Sequence, residues 1–71
     1  MEMKEIRSKT DAELHRLLAE ARRELLNLRF QLASNQLQNV SRIKQVRRTI
    51  ARILTELRAR NLTREAQQEV R

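Results

Sequence analysis

Apolar residues recur along this chain in two trains, each with the beat of an amphipathic helix. Leu14, Leu18, Ala21, Leu25, Leu28 and Leu32 follow at intervals of four, three, four, three and four, which lays one apolar seam along a long helix. Leu17 and Leu26 widen the seam, as suits a globular contact more than a strict zipper. Just upstream, Thr10-Asp11-Ala12-Glu13 has the form of a capping box. The Thr10 hydroxyl accepts from the Glu13 amide while the Glu13 carboxylate reaches back to the Thr10 amide. The first helix is therefore placed at about 10–34, with Asn35 in the left-handed position usually given to Gly. After the polar stretch Asn35–Asn39 the beat resumes: Ile43, Val46, Ile50, Ile53 and Leu57 are three, four, three and four apart, with Leu54 beside them. Asn39 or Ser41 caps this second helix, expected at about 40–60.

The numbering fixes how the two helices meet. Leu32 with Ile43, Leu28 with Val46, Leu25 with Ile50, Ala21 with Ile53 and Leu18 with Leu57 all have indices summing to 74 or 75. A constant sum is the signature of an antiparallel pair, and its midpoint falls between Leu37 and Gln38, inside the expected loop. The fold class is thus all-α, a long antiparallel two-helix hairpin with arms roughly 37 and 30 Å long at 1.5 Å per residue. Residues 1–60 form one domain. Ile6 and Leu62 are expected to fold back over the open end near Leu14, and the tail 61–71 to be either a helical extension or disordered.

Composition supports helices and removes alternatives. Gly, Pro and Cys are absent and Phe30 is the sole aromatic, whereas sheets need turn residues and favour aromatics. Without cysteine there is no disulfide or thiolate zinc site, and the lone His15 reads as a surface helical residue. No metal or cofactor is expected. No apolar run approaches a membrane span and no signal core follows Met1, so a soluble cytoplasmic protein is expected. At 71 residues, a one-seam hairpin is marginal by itself, and a partner that selects the folded form would supply the remaining stability.

Charge then says what kind of partner. The chain carries a formal net charge of +7. Between Glu24 and Glu56 it has no acid at all, yet it holds Arg29, Arg42, Lys44, Arg47, Arg48 and Arg52. A charge run is ordinarily a solvated face, but like charges at i,i+4 destabilise a free helix, and solvated helices interleave both signs. Lys44, Arg48 and Arg52 recur every four residues opposite the second seam, a cationic stripe about 12 Å long. A polyanion packed on that stripe is the simplest reason for it, and arginine matches phosphate with a rigid fork of donors. With no Tyr or Trp to stack on bases, the mode is phosphate and ribose contact that reads folded RNA by shape. Gln36 and Asn39 at the hairpin tip add candidate contacts to sugars or base edges. Phe30 lies off the seam and is expected to pack against the loop or Leu26.

Nothing catalytic appears: there is no Gly-rich phosphate loop, no nucleophile with a base, no carboxylate pair in a cavity, and no small-molecule substrate is expected. The segment Asn27-Leu28-Arg29-Phe30-Gln31, the loop Asn35-Gln36-Leu37 and the run from Arg42 to Ile53 resemble the bacterial form of large-subunit ribosomal protein number twenty-nine. The likeness covers residues 1 to about 60, with Asn35 standing where many members have Gly. It implies a structural constituent of the large ribosomal subunit, held by large-subunit ribosomal RNA near the nascent-chain exit. It further implies ribosomal protein number twenty-three as a neighbour and nascent-chain factors close by. Carried onto this sequence, it suggests RNA contacts at Arg29, Arg42, Lys44, Arg47, Arg48 and Arg52. The competing readings are a helical-hairpin adaptor between proteins, which exposed Leu17, Leu26 and Leu54 would favour, and a non-ribosomal nucleic-acid-binding protein. A basic-zipper dimer is disfavoured, because the basic residues interleave with the second seam.

Overall fold

The structure, a computed structural model, describes the backbone of residues 1–69 and the side chains of residues 1–67. Three helices follow one another: α1 Met3–Arg7, α2 Asp11–Ala33 and α3 Ser41–Glu69. α2 and α3 lie against each other as the two arms of a rod 56 Å long, the expected all-α hairpin. α1 closes its open end.

Local chemistry sets the boundaries. Thr10 is extended (φ −73°, ψ 164°) and completes the capping box: its hydroxyl accepts from the Glu13 N–H at 3.1 Å, and its own N–H donates to Glu13 Oε1 at 3.2 Å. At the far end Asn35 has φ 59°. The Gln36 N–H donates to the Gln31 carbonyl at 2.8 Å and the Asn35 N–H to Leu32 at 3.2 Å, so carbonyls otherwise left open are satisfied by a Schellman turn. Asn39 serves the start of α3 by accepting from the Ser41 N–H at 3.0 Å.

Asn35 offers a clean test of that turn. Asn35→Gly keeps the left-handed conformation and should leave stability unchanged or slightly raised. Asn35→Ala should cost less than about 1 kcal/mol in urea unfolding, because Asn already carries a Cβ here and only its local polar compensation is lost.

The core divides into two clusters. Ile6, Leu14, Leu18 and Ile53 form the one at the open end, with Met3, Leu17, Ile50 and Leu57 packed on it. Ala21, Leu28 and Val46 form the one towards the loop, flanked by Leu25, Leu37, Ile43 and Ile50. Leu28 therefore meets Val46, and Leu18 meets Leu57, as the register requires. Ala21 and Ile53 fall in different clusters, because a methyl group is too short to bridge them. At the tip, Leu32 remains 46% exposed.

The ends of the rod differ from expectation in two respects, the turn of α1 and the exposure of Leu62. The residues before Thr10 contain a helical turn, and Ile6 is fully buried against Leu14 as anticipated, but Leu62 stays 56% exposed. The second helix passes 60 and runs to Glu69, the helical-extension alternative for the tail 61–71, of which positions 70 and 71 lie outside the described backbone. No Gly or Pro interrupts it, and the seam itself continues in ionic form. Three and seven residues beyond Leu57 stand Arg60 and Arg64, and both reach Asp11, three residues before Leu14. Asp11 and Arg64 carry the same index sum, 75, as the apolar pairs.

That ionic end is tied down with care. Arg60 is largely covered; its Nη1 donates to Asp11 at 2.7 Å, its Nε to Glu56 at 3.0 Å, and its Nη2 to the carbonyls of Arg7 and Lys9 at 3.3 and 2.8 Å. The Arg60 guanidinium, followed by Arg64, holds the Asp11 carboxyl below its ordinary value of 3.8. The Thr10 N–H, followed by the Thr10 hydroxyl, holds Glu13 below 4.5. Both groups bind protons more weakly folded than unfolded, so their contribution is complete above those ordinary values and is lost as pH falls through the lower folded ones. The melting temperature should accordingly hold steady down to about pH 5 and drop below about pH 4. Thr10→Ala should lower stability by about 1 kcal/mol and make the acid limb of that curve shallower.

Candidate nucleic-acid interface

The eight residues expected to touch RNA fall into two groups. Arg29 on α2, with Lys44, Arg47 and Arg48 on α3, are all exposed, and among the described residues none of them makes an ion pair or side-chain hydrogen bond. All four present their charge to solvent with no counter-ion among the described residues. Gln36 is also exposed at the tip. Its backbone N–H closes the Schellman turn while its side chain is left to solvent.

The other three are engaged within the protein. Arg42 donates through Nε to Glu24 Oε1 at 2.8 Å, with Nη2 at 2.6 Å from the same oxygen, and Nη1 reaches Gln45 at 3.3 Å. It bridges α3 to α2 near the loop. Arg52 is half-buried, and its Nη1 donates to the Met1 carbonyl at 2.8 Å. The expected stripe of Lys44, Arg48 and Arg52 thus has its third member holding the N-terminus. Asn39 commits its side-chain oxygen to Ser41, which leaves only its amide N–H groups to meet a ligand.

Sequence reasoning missed Arg60, which organises the open end of the rod. A signal for it existed: continuing the seam spacing past Leu57 lands on Arg60 and Arg64, and continuing it back past Leu14 lands on Asp11. Phe30 shares a groove with Leu26, as expected, without being covered by it. It is 65% exposed, and with Leu26 at 55% it stands on the outer face of α2, beside an open groove lined by Glu20, Arg23, Glu24 and Asn27. On the far side of α2 from the seam, the loop cannot fold over it.

No group of His, Asp and Glu among the described residues could hold a metal ion, and none of their helices is long and apolar enough to cross a membrane. A small, strongly basic helical hairpin with unpaired cations along its arms is the class of protein that fold and surface define: a binding module. Its lineage is specific. The family model described as ribosomal L29 protein matches residues 4–60. The large ribosomal subunit protein uL29 of Caldicellulosiruptor bescii is 55% identical over 65 residues, covering 92% of this chain and 90% of that one. Its counterpart from Caldanaerobacter subterraneus subsp. tengcongensis is 56% identical over 62 residues, 87% of this chain and 94% of the relative. That of Geobacillus stearothermophilus is 52% identical with the same coverage. The chain belongs to the ribosomal L29 protein family, whose members are structural, non-enzymatic components of the ribosome.

Proposed function

We propose that this protein is a structural constituent of the large ribosomal subunit that binds large-subunit ribosomal RNA through the basic face of α3 and the hairpin tip. The observation that carries the reading is the run of exposed, unpartnered cations Arg29, Lys44, Arg47 and Arg48 within an interval that holds no acid from residue 25 to residue 55. Phosphate is the ligand that such guanidinium groups fit, and without aromatic stacking the RNA is read by its folded shape. Arg42 and Arg52 join the contact from its edges, and Gln36 and Asn39 from the tip. The site of action is the cytoplasmic ribosome.

The finer placement follows the family resemblance: near the nascent-chain exit, beside ribosomal protein number twenty-three, within reach of factors that meet emerging chains. The exposed Leu26 and Phe30 support a protein neighbour on the outer face of α2, since a lone aromatic left in water gains by being covered. Co-sedimentation tests the proposal. The chain should pellet with large ribosomal subunits through a wash of moderate salt and be released by high salt; a chain that stays in the supernatant at every salt concentration overturns it.

A further inference from the structure

The hairpin has two unequal flanks, and its charges are sorted between them. In a seam that repeats every seven residues, each helix has one row of positions on either side of the contact. On α2 these rows are Leu17, Glu24 and Gln31 on one side and His15, Arg22 and Arg29 on the other. On α3 they are Arg42, Thr49 and Glu56 against Arg47 and Leu54. The Arg42–Glu24 bridge joins the first row of each helix, so those rows share a flank. α1 lies on that same flank: Leu17 and Met3 pack on the cluster around Ile6, and Arg52, one row further out on α3, bonds the Met1 carbonyl. Burial follows, for Leu17, Glu24, Gln31, Thr49 and Glu56 are half-buried, with Arg42 near the loop the exposed exception, while His15, Arg22, Arg29, Arg47 and Leu54 are all exposed.

The open flank carries cations on both helices, with Leu54 the one large apolar side chain in its two inner rows. Arg22 and Arg29 line it on α2; Arg47 lines it on α3, with Lys44 and Arg58 one row outward and also exposed. The acids Glu13, Glu20, Glu24 and Glu56 all fall on the side that α1 occupies, and the cationic rows meet no acid before Glu65. Cations therefore stand on both helices along this flank, over about 21 Å from Lys44 to Arg58 on α3 and about 10 Å from Arg22 to Arg29 on α2.

We infer that this open flank, built from both helices, is the principal grip on RNA, and that Arg22 and Arg58 belong to it. Its occupant is a double-helical segment of large-subunit ribosomal RNA laid along the seam, one strand's phosphates meeting the α2 row and the other's the α3 row. Charge sorting favours this geometry over contact through the back of α3 alone. A duplex offers two lines of phosphate, and a single helix face offers one line of cations. α1, by closing the opposite flank, orients the rod. This inference rests on the RNA-binding reading above and narrows it to one surface.

The test uses the full chain and large-subunit ribosomal RNA transcribed in vitro, with filter binding across a salt series. The R22Q/R58Q double variant should lower the slope of log affinity against log salt by about 1.4–1.8, the release expected from two phosphates. R16Q/R23Q removes the same charge from the back of α2 and should lower it by less than half as much. R22K/R58K should retain most of the slope, and helical circular dichroism reports whether each variant is folded. Equal losses in R22Q/R58Q and R16Q/R23Q, or an unchanged slope in R22Q/R58Q, overturn the placement while leaving RNA binding intact. A wild-type chain whose binding ignores salt overturns the RNA reading and this inference with it.

Discussion

Replacing Ile53 with alanine is expected to unfold the free protein at physiological temperature. Ile53 is fully buried at the point where all three helices meet, against Ile6, Leu14 and Leu18. Its loss removes the transfer energy of the deleted carbons and leaves a cavity, together about 2–5 kcal/mol. A 71-residue chain with one seam has little stability beyond that, because a small domain buries a smaller share of its surface than a large one. Circular dichroism should show the helical signal of the free variant collapsing, while saturating ribosomal RNA restores part of it by binding only the folded form. A variant as helical and as heat-resistant as the parent would show that the open-end cluster is not what holds the rod together.

The second large effect concerns binding. Removing Arg29, Arg47 and Arg48 together should weaken association with large-subunit ribosomal RNA on the order of 10²-fold near 0.15 M salt and flatten the salt response by about three phosphates' worth. The three side chains are exposed and make no bond within the described protein, so the helical signal of the triple glutamine variant should match the parent. Preference among RNA sequences should not change, because phosphate contacts position a protein without reading bases. A loss confined to one RNA sequence would point to base contacts instead.

Much of the hairpin was legible because its determinants are local or strictly periodic. The capping box at Thr10 involves residues three apart, the left-handed Asn35 needs only a residue that tolerates that conformation, and the index sums of the two leucine-isoleucine trains fix an antiparallel register. What the sequence hid depends on contacts between distant residues. α1 is five residues long, too short to be stable by itself; it exists because Ile6 finds the open cluster and Arg60 binds the carbonyls of Arg7 and Lys9. α3 runs past 60 because its seam turns ionic, a continuation invisible to a search for apolar residues.

The candidate site was legible in kind and less so in detail. An interval free of acids suggested an exposed cationic surface, and Arg29, Lys44, Arg47 and Arg48 do stand exposed. Composition could not show that Arg42 and Arg52 have partners 18 and 51 positions away. Nor could a wheel drawn for one helix show that Arg22 on α2 and Arg58 on α3 share a flank with Arg47. That fact emerges only when the Arg42–Glu24 bridge and the position of α1 distinguish one side of the hairpin from the other.

Arginine accessibility in the native assembly tests the central claim most directly. Large ribosomal subunits reconstituted with this chain would be treated with phenylglyoxal, and each arginine's modification read by mass spectrometry against the free protein. Arg29, Arg47 and Arg48 should react readily in the free chain and be protected in the subunit, while Arg16 on the back of α2 changes least. Modification of Arg47 and Arg48 at the same rate in both states would contradict the account.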